Sequence, residues 1–192
     1  MLRYMSELYT PQPGDIGLVH TNGPVGKLIR LGQWLNGDGF EDFEHAFVVT
    51  DEWSGNGKQM IVQAEPGGAQ FVELPVYSPP VHWCLGISHK LTPAQRTAVS
   101  QAAIDFIGTG YSFLDYFSLV ALRLNIPAPG LEDFVKSTKH VICSQLAAAS
   151  YDKAGVPIWP GQWTGNDTPG DLYQMDMKLR AAYADPRRPP TA

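Results

Sequence analysis

The stretch His45-Ala-Phe-Val-Val-Thr50, followed by Asp51-Glu-Trp-Ser-Gly-Asn-Gly-Lys58 and then Gln59-Met-Ile-Val-Gln-Ala-Glu65, decides the fold of this chain. The first and last of these runs are rich in β-branched and aromatic side chains and short enough to be strands. Between them, Asn56-Gly57 is the strongest short hairpin signal. The run from Asp51 to Lys58 therefore reads as a hairpin turn. Alternation along the returning strand sets Ile61, Gln63 and Glu65 on one face and Met60, Val62 and Ala64 on the other. An antiparallel pair is expected, with His45 at a strand's opening and two polar side chains on the neighbouring strand within its range.

Moving outward, Pro11-Gln-Pro-Gly14 is a turn and Asp15 to His20 a short strand. Pro24 stands where a helix can begin. Val25, Leu28, Ile29, Leu31 and Leu35 form its apolar stripe, and Asn36-Gly37 ends it. A polar loop from Gly37 to Glu44 then leads to His45. On the far side of the hairpin, Pro66-Gly67-Gly68 turns the chain into strands at Ala69 to Leu74 and at Val81 to Ile87. The second half changes character. Thr92 caps a helix with Pro93 at its first position, and Ala94, Val99, Ala102, Ala103, Phe106 and Ile107 supply an apolar face up to Gly108. Further helices are expected over Ser112 to Leu124 and over Val141 to Tyr151, the latter with small residues suited to close packing and ended by Gly155-Val-Pro157. Strands first and helices later predict an α+β fold, an antiparallel sheet or small barrel packed against helices. Residues 1–184 read as one domain, and the Pro-rich, charged tail 185–192 as flexible.

Composition excludes several classes. The 192 residues carry 14 basic and 19 acidic side chains, a formal net charge of −5, and the longest basic run is Arg187-Arg188. That is no footprint for nucleic acid or an anionic membrane surface. No segment approaches the roughly 20 apolar residues of a spanning helix, and Met1 to Thr10 has no signal-peptide core. A soluble protein is expected, cytoplasmic or delivered from the cell by a phage or cellular machine. Two cysteines in a chain of this size cannot build a disulfide scaffold, so a thiol is free for chemistry.

Cys143 stands where the chain enters a helix, and there unpaired backbone N–H groups and the helix dipole lower a thiol's pKa. Such a thiolate needs a base, which in turn needs a polar group to fix its ring. Of the five histidines, His45 is the one placed at a sheet edge after a loop, and either Gln63 or Glu65 can orient it. Two other readings stay open. His82 and Cys84 together with His140 and Cys143 offer four zinc ligands, though without the tight spacing of common zinc motifs. A non-catalytic binding or structural module is the other.

Gly14-Asp15-Ile16, a Gly-Lys-Leu-Ile helix, Glu44-His45-Ala46 opening a strand, Gln63-Ala64 in the next, and Val141-Ile-Cys143-Ser-Gln-Leu before a small-residue helix together resemble the circularly permuted NlpC-like, papain-fold cysteine hydrolases. The YiiX-like branch is the most similar. Gly110-Tyr111 and Thr168-Pro-Gly-Asp-Leu172 also match, so the resemblance spans Pro13 to Leu172, through short motifs. In papain-like enzymes the cysteine precedes the histidine; in the permuted branch, as here, histidine comes first. The resemblance implies Cys143 as nucleophile, His45 as general base and Gln63 as third member, where relatives often have Glu. Glu65 is the substitute. Tyr111 is implied near the site, as a cleft-wall or core aromatic. The implied reaction is hydrolysis of a peptide, amide or acyl-ester bond through a thioester, with no cofactor and no metal.

Overall fold

The computed structural model describes residues 9–20, 43–65, 67–76, 81–109, 142–162 and 167–184. The expected helices over Pro24–Leu35 and Ser112–Leu124, together with Tyr111, His140 and the 185–192 tail, lie outside these residues.

The fold is α+β. Five strands, β1 (Ile16–Val19), β2 (His45–Trp53), β3 (Gln59–Glu65), β4 (Gly68–Glu73) and β5 (His82–Trp83), form one sheet in the order β4-β3-β2-β1-β5, antiparallel at every junction. Four helices are described: α1 (Leu85–Ser88), α2 (Pro93–Ile104), α3 (Cys143–Lys153) and α4 (Pro169–Ala184). Because strand side chains alternate, the hairpin serves two cores at once. Ala46, Val48, Val62 and Ala64 pack with Cys143, Leu146 and Ala147 of α3 and with Val99 and Ala103 of α2. On the other face Val19, Phe47, Val49 and Ile61 pack with Val81 and Trp83.

Polar side chains pin the helices to the sheet. The buried Asp15 accepts from Arg96 Nη1 of α2 (2.8 Å) and from the Tyr9 hydroxyl (2.6 Å). Ser100 of α2 donates to Asp51 Oδ1 of β2 at 2.5 Å, and the Tyr151 hydroxyl of α3 donates to the Gly14 carbonyl at 2.6 Å. Thr92 caps α2 as its sequence predicts: its hydroxyl accepts from the Gln95 N–H, whose side chain reaches back to the Thr92 N–H. The face assigned to that helix is narrower than expected, since Ala94 and Ile107 are exposed and Val99, Ser100, Ala102 and Ala103 are buried.

Three differences from the expected elements have physical causes. The turn assigned to Asp51–Lys58 is shorter, because β2 continues through Asp51-Glu52-Trp53 and the register shifts between Val49 and Trp53. Thr50 Oγ1 donates to the Met60 carbonyl (2.8 Å) and Gln59 Nε2 to the Thr50 carbonyl (3.0 Å), which bridge the irregularity. The strand expected over Val81–Ile87 lasts two residues, and Leu85–Ser88 is helical instead. Its turn is fixed from afar: Asp176 Oδ1 accepts from the Gly86 N–H at 2.5 Å. Finally, α4 was not expected. Thr168 and Asp171 bond reciprocally at its start, with Pro169 at the first helical position, a capping signal visible in the sequence but read only as a motif.

Gly17 is paired with Phe47, and a Cβ there would enter the Phe47 ring. Phe47 is fully buried in the second core. Gly17→Ala is therefore expected to destabilise the protein by about 2 kcal/mol. Urea denaturation checks this, and an unchanged midpoint would show that the ring can move.

Candidate functional site

The site is built where β2, β3 and the start of α3 meet. His45 opens β2, and Val19 of β1 pairs with it. On β3, Gln63 is the register partner of Phe47, so Gln63 lies diagonally from His45, and the same register carried on sets Glu65 opposite it. α3 begins at Cys143, with Ile142 in extended conformation before it. The Gln145 side chain accepts from the Ile142 N–H at 3.1 Å, tying down one of the N–H groups that this end of the helix leaves unpaired. Ser144 Oγ donates to the Asp167 carbonyl at 2.6 Å and anchors the segment ahead of α4 beside the cysteine.

Cys143, His45 and Gln63 are all buried, at 3%, 7% and 3% exposure. His45 Nε2 lies 3.0 Å from Gln63 Oε1. A carboxamide oxygen only accepts, so Nε2 carries the proton and donates. That tautomer leaves Nδ1 for the hydrogen bond between His45 and Cys143. Glu65 is half-buried, accepts from Gln70 Nε2 at 3.3 Å, and acts on His45 through its charge.

The electrostatics follow from this placement. Burial pushes the Cys143 thiol up, but the hydrogen bond and positive charge of His45, and the backbone N–H groups of Ala46 and Ser144, outweigh it and bring the thiol below its usual range. Burial pushes the His45 imidazolium down, and the bond and negative charge of Cys143, the Gln63 bond and the Glu65 charge lift it above its usual range. Both shifts favour the same thing, a thiolate beside an imidazolium. Cys84 shows the contrast. It is fully buried, and burial together with the negative charge of Asp176 pushes its thiol far up.

The structure thus brings together Cys143, His45 and Gln63, with Glu65 alongside on β3. The Ala46 and Ser144 N–H groups are not legible in the sequence, since a backbone donor has no side-chain signature. Trp159 packs against the core that includes Cys143.

The four zinc ligands considered from the sequence divide differently. Among the described residues, the His/Cys/Asp/Glu group able to converge on a metal is His82, Cys84 and Asp176, with ligand atoms within 4.8 Å of one another. Cys143 is not part of it. Asp176 is engaged on both oxygens, by the Gly86 N–H and by His82 Nε2 (2.8 Å) and Arg180 Nε (2.7 Å). A guanidinium occupying the carboxylate makes this a buried ion-pair cluster rather than a metal cradle. Among the described residues no helix is long and apolar enough to cross a membrane. No protein-family model matches the sequence, and no curated protein does.

Proposed function

We propose that this chain is a thiol hydrolase of circularly permuted, NlpC-like papain architecture, acting on an amide or acyl-ester carbonyl. One observation carries the reading: the buried His45 ring is bonded by Gln63 at Nε2, 3.0 Å away, and shares its other side with a cysteine at the first position of a helix. This arrangement supports the reading, since covalent acyl transfer needs a nucleophile, a base and a group that orients the base within reach of one another.

In this mechanism the Cys143 thiolate attacks the carbonyl carbon. A C–S bond forms and the carbonyl electron pair moves to oxygen. The N–H groups at the α3 terminus, that of Cys143 among them, face the developing negative charge. Collapse of the intermediate breaks the bond to the leaving amine or alcohol, which takes the proton from His45 Nδ1. Neutral His45 then draws a proton from water, whose oxygen attacks the thioester. The carboxylic product leaves and the thiolate is restored. Throughout, Gln63 holds the ring by accepting from Nε2–H.

The test is direct capture of the acyl-enzyme. With an activated short-chain ester, intact-mass and peptide mapping are expected to find a transient acyl group on Cys143 and none on Cys84. Cys143→Ala should abolish it while Cys84→Ala leaves it in place. An acyl group on neither cysteine, or on both alike, would count against the reading.

A further inference from the structure

A neutral carboxamide as the third member orients the imidazole without adding charge to the Cys143–His45 pair. Gln63 can fix the imidazole in one tautomer and orientation, but it brings no charge to the imidazolium that the thiolate pair requires. His45 is 7% exposed, where water screens little, so a charge nearby has more effect than at the surface. The structure holds such a charge two residues along β3. Glu65 shares the face of Gln63, the β2–β3 register carried on sets it opposite His45, and Gln70 Nε2 holds its Oε2 at 3.3 Å. Gln70 is itself the β4 register partner of Gln63, so it reaches Glu65 diagonally from the neighbouring strand.

We propose that the third function is divided between two residues of one strand, Gln63 orienting His45 by hydrogen bond and Glu65 stabilising its imidazolium by charge. The inference rests on the thiol-hydrolase reading. It makes Glu65 a positioning residue, acting through His45 and not on substrate. Besides Glu65, the charge acting on His45 is that of Cys143, from α3, and the Glu44–His20 pair (3.1 Å) adjoins it along the chain. That pair is one step beyond the Val19–His45 register pair, on the opposite face of the sheet. Neither residue belongs to β3.

The sign of the effect is defined. The active pair forms as pH rises through the lowered thiol and is lost when His45 deprotonates. Removing the Glu65 charge destabilises the imidazolium, so His45 releases its proton at lower pH and the active window closes from its alkaline side. The Cys143 limb moves less, because Glu65 faces the histidine.

The experiment is an NMR titration of the His45 ring in the full chain, with the alkaline limb of acyl-probe turnover recorded in parallel. Glu65→Gln is expected to lower both by about half a unit or more, as the loss of a nearby partly screened charge should. Gln63→Glu placed in the Glu65→Gln background is expected to restore them, because a charge is returned to the hydrogen-bonding position. Thermal unfolding of each variant establishes that it is folded. If wild-type His45 titrates high and Glu65→Gln leaves it unmoved, the division of roles is wrong and the hydrolase reading stands. If wild-type His45 titrates at its ordinary value and Cys143 takes no acyl group, the hydrolase reading itself fails.

Discussion

His45→Ala is expected to lower turnover of an acyl probe by about 10²–10⁴-fold and to make Cys143 react with iodoacetamide as sluggishly as Cys84. Both cysteines are buried, at 3% and 0% exposure, and burial alone raises a thiol's pKa. What separates them is their company. Cys143 has the His45 ring and the N–H groups of Ala46 and Ser144, whereas Cys84 has the carboxylate of Asp176. Take away the imidazole and Cys143 keeps the burial cost and loses its chief compensation, so its thiolate fraction at neutral pH should fall steeply. The pH profile carries the same signature. Wild-type alkylation of Cys143 is expected to rise from a pH below the ordinary thiol range of about 8.5, and in His45→Ala to rise only above it. Residue-resolved mass spectrometry of alkylation across pH measures this. Unchanged Cys143 reactivity in the variant would show that the helix terminus activates the thiol without its histidine, and the general-base assignment would fall.

The second large effect concerns stability. Asp176→Ala is expected to cost about 3 kcal/mol, read as a shift in the urea midpoint. Asp176 is fully buried at the join between α4, α1 and β5. Its carboxylate neutralises Arg180, bonds His82, and satisfies the Gly86 N–H where β5 gives way to α1. Arg180 in turn donates to the Trp83 carbonyl. Removing the carboxylate leaves a buried N–H unsatisfied and a guanidinium without its counter-charge, and replaces neither. Asp176→Asn tests the assignment further: it retains an acceptor for Gly86 and should recover part of the loss. A cost under about 1 kcal/mol for Asp176→Ala would mean that the cluster is no more than a surface pair.

The elements that were legible in the chain are those whose causes are local. Alternation from Gln59 to Glu65, the Asn56-Gly57 turn, and the Thr92-Pro93 helix start each act within a few residues, and each appears where expected. Leu85–Ser88 is helical where the sequence predicts a strand, and Asp176, ninety residues away, reaches its Gly86 N–H. The C-terminal helix was missed for another reason. Its buried residues beyond the first turn are few, so no apolar stripe announces it, and only its cap does.

The site divides in the same way. That Cys143 starts a helix, that His45 starts a strand, and that Gln63 and Glu65 share a face are properties of spacing, and spacing is written in the chain. Which amide or carboxylate reaches the ring is not. It depends on the antiparallel register, which pairs Gln63 with Phe47 and so gives it the diagonal approach to Nε2, and on α3 crossing the hairpin so that the thiol meets the other side of the ring. Local order chose the candidates, because propensities and capping act over a few residues. Packing chose among them, because a hydrogen bond of 3.0 Å between residues 18 apart exists only once two strands and a helix are locked together.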